Sequence, residues 1–204
     1  MKSFSKKSRR RAVIIAAVAL LLILLLLALY FFSPKKTALL QPAVALKASQ
    51  KASLSKGGEL TVDMSLTCLG NSIYPAASFS IEFDNDYLEL LAIEEGNVFV
   101  LDEEGGKKLP VWSVNLEQSN KNGIINLMYL DITGEKNAFT QDLLEAEDNV
   151  LLRLKFKLRG SAHEGEVYGI DFADAVFAAS DEQDSLALNT QTLIAESGKI
   201  VVGD

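Results

Sequence analysis

The sequence is short of the residues that build most catalytic and metal centres. Among 204 residues there is one cysteine, Cys68, and one histidine, His163. A lone thiol makes no disulfide within the chain and no cysteine-cluster zinc site. A lone imidazole leaves histidine-rich metal centres without ligands and the usual histidine-based relays short of parts. Neither a metal ion nor a cofactor is expected. Tryptophan also occurs once, at Trp112, and the tyrosines beyond Tyr30 (Tyr74, Tyr87, Tyr129 and Tyr168) are scattered. They do not form the strip of rings on which flat polysaccharides usually rest. No acid precedes Glu59, and from Thr37 onward 12 basic residues face 27 acidic ones, a net charge of −15. Such a surface repels nucleic-acid backbones, so DNA and RNA are excluded as partners of this part of the chain. There is no internal repeat and no low-complexity segment.

What the sequence has at its start is grease. Ala12 to Phe32, "AVIIAAVALLLILLLLALYFF", runs 21 residues without a charge. As a helix it rises about 31 Å, the thickness of a bilayer's hydrocarbon core. Lys2, Lys6, Lys7, Arg9, Arg10 and Arg11 precede it and hold that end in the cytoplasm. A cleaved signal peptide is the competing reading, but its apolar region is normally shorter and ends in a small-x-small site. The expected organisation is a basic cytoplasmic tail over 1–11, a transmembrane helix over 12–32 and a linker over 33–42, with an extracytoplasmic domain over 43–204.

From Ala43 the dominant pattern has period two. "ELTVDMSLTC" puts Leu60, Val62, Met64, Leu66 and Cys68 on one face, and "SFSIEF" does the same for Phe79, Ile81 and Phe83. "VWSVNLE" alternates Trp112, Val114 and Leu116 with Ser113, Asn115 and Glu117, and "LLRLKFKLR" alternates Leu152, Leu154, Phe156 and Leu158 with Arg153, Lys155, Lys157 and Arg159. One dry face and one wet face per strand is the pattern of antiparallel sheets stacked into an all-β sandwich. "AFTQDLLEAEDN" is the exception and suggests a short helix begun by Thr140. The acids of "FDNDYLEL" read as a strand end and turn, with Asp84 and Asn85 bonding nearby amides. An EF-hand is disfavoured because Glu89 stands where its loop needs glycine. The basic row of "LLRLKFKLR" reads as a wet or edge face.

Four segments, in order, carry a family likeness: "ASFSIEFDNDYLELLAIEEGNVF", "GIINLMYLDITG", "DNVLLRLKFKLRGSAHEGE" and "TLIAESGKIVV". Together they resemble the cohesin domain, over about Ala43 to Val202. The resemblance implies a jelly-roll sandwich of about nine strands, akin to some carbohydrate-binding modules. It also implies a non-catalytic role: binding dockerin domains through one sheet face, which gathers polysaccharide-degrading enzymes at a cell surface.

On that likeness the binding face comprises strands near 76–82, 111–117 and 124–131. Phe79, Ile81, Trp112, Val114, Ile125, Leu127 and Tyr129 point inward. The outward candidates for a protein partner are Ser78, Glu82, Asn115, Asn126 and Met128, with Ala76, Ser80 and Ser113 beside them and Asp131, Thr133 and Gly134 at the rim. Ala76 and Ser78 stand where the best-known dockerin-binding cohesins carry Asn and Asp, so two charge-assisted or amide anchors are lost. Met128, mid-strand and outward, marks the centre of a contact surface. The alternative roles are a carbohydrate-binding module that meets polysaccharide, or an accessory domain of an envelope complex.

Overall fold

In the computed structural model the described residues are 41–48, 51–53, 57–98, 100–101, 107–108, 112–144, 149–180 and 187–203. The expected tail, membrane helix and most of the linker lie outside them. Within them, no helix is long and apolar enough to cross a membrane. The residues from Leu40 to Asp204 cluster as one compact unit.

Alternation becomes two stacked sheets. One is built of β1 (Ala43–Ala48), β2 (Glu59–Cys68), β4 (Leu88–Glu95), β8 (Val150–Leu158) and β10 (Ile194–Glu196), in the spatial order β10–β1–β2–β8–β4. The other is built of β3 (Ala76–Phe83), β7 (Ile124–Leu130), β9 (Val167–Ala178) and β11 (Gly198–Val201), in the order β11–β9–β3–β7. Val100–Leu101 (β5) and Lys107–Lys108 (β6) form a separate short pairing. The pairings within the two sheets are antiparallel except β1 with β10. The all-β sandwich and its strand number are therefore as the sequence led one to expect.

The dry middle is made of the residues that alternation selects. Leu60, Val62, Met64 and Leu66 from β2 and Leu152, Leu154 and Phe156 from β8 meet Phe79, Ile81, Ile125 and Leu127 from the opposite sheet in one buried cluster. Phe79 sits at its centre, with ring centroids 5.4 Å from Phe177, 5.6 Å from Trp112 and 6.2 Å from Phe172. Each fully buried Leu, Ile or Phe contributes about 1.5–3 kcal/mol relative to exposure. Buried apolar area is what holds the two sheets together.

At the end of β3 the amide of Asp86 donates to Asp84 Oδ1 at 3.1 Å, so the acids of "FDNDY" serve a turn as expected. Thr140 precedes only a single 3-10 turn, Gln141–Leu143, and its side chain makes no capping bond.

Two expectations are corrected. The segment around 111–117 is not a strand of the sheet. Its described part makes one bridge, Ser113 N to Met128 O at 3.0 Å, and then enters helix α1, Leu116–Asn122. Asn115 is its N-cap: Oδ1 accepts from the Gln118 amide at 3.0 Å, which satisfies one of the first-turn donors. Gly123 closes the helix at φ 70°, and its amide donates to Ser119 O at 2.8 Å. A Cβ there would lie 2.7 Å from Phe83 O, so both conformation and space call for glycine. Val114, expected inward, is consequently exposed. The basic row is the wet face of the two readings, wet or edge, and β8 is not an edge. β8 lies between β2 and β4, and its cations pair across the sheet, Lys155 with Glu94 at 2.6 Å and Arg153 with Asp63 at 3.7 Å.

Candidate docking face

The outer face of the β9–β3–β7 sheet gathers the predicted residues in rows set by register. Ala76 lies opposite Leu130 on β7 and Ala178 on β9. Ser78 lies opposite Met128 and Val176, Ser80 opposite Asn126 and Asp174, and Glu82 opposite Ile124 and Asp171. Side chains of successive odd and even positions leave a strand on opposite faces, so these even-numbered β3 residues share the outward side while Phe79, Ile81 and Phe83 are buried.

Six of the seven candidate partner-binding residues lie on the strand face or rim where expected, and Asn115 sits instead at the start of α1. Ser78 and Glu82 of β3 and Asn126 and Met128 of β7 face out, Met128 at 62% exposure. Ser80 Oγ donates to Asn126 Oδ1 at 2.8 Å, leaving the Asn126 amide nitrogen toward solvent. Thr133 is exposed at the rim. Asn115, Asp131 and Thr133 are already engaged in bonds within the domain. Asn115 spends its carbonyl oxygen on the helix cap. With Asn126, Val114, Gln118, Asn122 and Ile124 it lines a recess of about 370 Å³ between α1 and β7.

Asp131 acts as a hub. Its Oδ1 accepts from the Thr133 hydroxyl at 2.6 Å and the Thr133 amide at 2.8 Å, and Oδ2 accepts from the Asn137 amide at 3.2 Å. Partial burial pushes its carboxyl upward, but the bonds from Thr133, Asn137 and Glu135 together outweigh that and hold it below the usual aspartate value. Beneath it, Tyr129 OH donates to Asn137 O at 2.6 Å. Burial first, and the Asp131 charge second, push that phenol up to about 12. Asp131 and Tyr129 thus hold the rim loop in shape.

The structure adds residues that the sequence reading passed over. Leu130 and Ile132 are 64% and 88% exposed. Leu130 and Met128 join Ala76, Ser78, Val176 and Ala178 around a shallow well of about 190 Å³. Leu130 was within reach, because it continues the outward parity of Asn126 and Met128. The β9 residues were hidden by a bulge, since the register against β3 shifts between Ser80 and Ile81, which breaks the alternation of "GIDFADAVFA".

The sequence matches the family model of the cohesin domain over residues 44–200. The chain belongs to the cohesin family. Cohesins are non-enzymatic protein-docking modules. Solved structures similar to this cohesin include the third cohesin of ScaC from Acetivibrio cellulolyticus, determined in complex with the ScaB dockerin. It is 21% identical, with a TM-score of 0.59, covering 80% of this chain and 99% of that one. The OlpA cohesin from Clostridium thermocellum, solved in a type I cohesin–dockerin complex, is 17% identical with a TM-score of 0.56, covering 79% and 99%. The cohesin module of a family 33 glycoside hydrolase from Clostridium perfringens is 12% identical with a TM-score of 0.56, covering 80% and 97%. At these identities the likeness is one of fold. No curated protein matches the sequence.

Proposed function

We propose that this cohesin is a docking module that captures a dockerin-like helical domain on the outer face of its β9–β3–β7 sheet. The observation that carries this reading is the placement of Met128, Leu130 and Ile132 in water, on and just beyond a strand whose alternate residues Ile125 and Leu127 are buried. Contiguous exposed apolar side chains on an otherwise acidic domain mark an interaction surface. The similar structures from Acetivibrio cellulolyticus and Clostridium thermocellum were solved with dockerins, which supports the same class of partner here. Apolar contact takes the place of the anchors lost at Ala76 and Ser78.

The proposal extends to location. The uncharged run 12–32 behind six basic residues supports a single-pass anchor with the cohesin held outside the cell, where it displays bound enzymes on the surface. Sugar binding is less well supported. The single Trp112 packs against Phe79 and Tyr129, and no exposed large apolar residue among those described is aromatic.

The test is titration of the full chain in mild detergent against a panel of purified dockerin modules. At least one should bind. Met128→Asp places an unpaired charge in the contact, costing about 3 kcal/mol or more, a loss beyond a hundredfold in affinity. A panel with no binder, or capture unaffected by the substitution, counts against the reading.

A further inference from the structure

The docking face is not uniform along its strands. At the start of β3 the row is Leu130, Ala76 and Ala178, and the next is Met128, Ser78 and Val176. These rows carry no charge and enclose the well. The third row, Asn126, Ser80 and Asp174, is polar, and the fourth, Ile124, Glu82 and Asp171, brings two acids directly opposite each other. Over four rows, roughly 20 Å of strand at about 3.3 Å per residue, the face passes from apolar to acidic.

The acidic end lacks compensation. Like charges directly opposite in a sheet destabilise it, yet neither Glu82, Asp171 nor Asp174 forms an ion pair among the described residues. The Asp171 carboxylate leans over Gly169, within 2.9 Å of where a Cβ on that glycine would lie. The nearest cation in the register is Lys199, opposite Gly169 on β11 and so diagonal to Asp171. It is one cation against three acids. Charges at a rim that are left unmatched within the domain are matched by the partner when they steer and orient it.

We infer that the face is read in one direction only. This rests on the docking reading above and names the chemistry of its partner. The occupant is an amphipathic helix with aliphatic side chains at one end and lysines or arginines at the other. The aliphatic end fills the well framed by Ala76, Met128, Leu130, Val176 and Ala178. The basic end lies over Glu82, Asp171 and Asp174. A helix turned end for end sets its cations on Met128 and Leu130 and strips water from three unpaired acids beneath apolar side chains. The two orientations are therefore unequal. A second copy of this chain does not serve as the occupant, because its own face repeats the acids.

The probes are synthetic 20-residue helical peptides, tested on the full chain. The first has leucines in its first two turns and lysines in its last two, on one face. The second replaces those lysines with glutamates. Fluorescence anisotropy should show the first binding at least tenfold tighter, a ratio that falls as salt is raised. In Glu82→Lys/Asp171→Lys the preference should reverse. A nitroxide on the basic end should broaden the amide resonances of Glu82, Asp171 and Asp174, and one on the leucine end those of Ala76, Leu130 and Ala178. Equal broadening from either end, equal affinity of the two peptides, or no binding overturns the directional reading. It leaves the docking face itself to be judged separately, by the dockerin titration and the Met128→Asp variant.

Discussion

Leu127 and Met128 are adjacent in sequence and should respond very unequally to truncation. Leu127 is 2% exposed and belongs to the buried cluster, whereas Met128 is 62% exposed on the docking face. Leu127→Ala removes buried methyl groups and leaves a cavity between two sheets that close only partly, a loss of about 2–5 kcal/mol. In a domain of this size each kcal/mol moves the melting midpoint by about 2–4 °C, so the midpoint should fall on the order of 10 °C. Met128→Ala takes away atoms that were mostly in water and should shift stability by no more than about 0.5 kcal/mol. Thermal and urea unfolding of the two variants, followed by circular dichroism, give the comparison directly. The urea slope should be unchanged in both, because the folded fold is the same. Equal destabilisation by the two substitutions refutes the inward and outward assignment of β7, and with it the docking face.

Other consequences follow from single contacts. Asn120 holds edge strand β4 by accepting from the Leu90 amide at 2.7 Å and donating to Leu90 O at 2.8 Å, so Asn120→Ala should cost about 1–3 kcal/mol and speed amide exchange at Leu90. Gly96→Ala drives a Cβ to 1.8 Å from Val150 O; the forced backbone shift should cost about 1–3 kcal/mol or more, read as a lowered urea midpoint. Asp131→Ala should loosen the rim loop, seen as faster amide exchange at Thr133 and Asn137. Because the folded Asp131 carboxyl is held below its usual value, its stabilisation is present above the unfolded pKa and lost as pH falls through the folded one. The wild-type advantage over Asp131→Ala should therefore shrink in acid. Tyr129 titrates at about 12 in the fold; its neutral form is favoured, so that contribution is full below pH 10 and fades as pH rises toward 12. Ultraviolet titration of Tyr129→Phe against wild type should remove a late-ionising phenol.

The sandwich was legible because burying one face of a strand imposes period two, and β2 and β3 keep that alternation through their length, as β8 does from Leu152 on. The turn at Asp84 was legible for a local reason, the short side chain that bonds an amide two residues on. The helix at Leu116–Asn122 was missed because "VWSVNLE" also alternates, and alternation outweighed the end signals. Those signals were present: Asn115 followed three residues later by Gln118, an acid at Glu117, a base at Lys121, and Gly123, the pattern of a short capped helix. Asn115 was singled out for a partner contact, and its carbonyl oxygen caps the helix. Half of the face was illegible for a deeper reason. Sequence gives the parity of one strand but not which strand lies beside it, so the pairing of β9 with β3, which brings Val176, Ala178, Asp171 and Asp174 to Ser78 and Glu82, was out of reach.

The central claim is that a partner is held on the β9–β3–β7 face. Hydrogen–deuterium exchange of the full chain, with and without a bound dockerin module, tests it most directly. Protection should concentrate on 76–82, 124–133 and 171–178. Protection centred instead on the opposite sheet, around Asp63, Arg153 and Lys155, contradicts it.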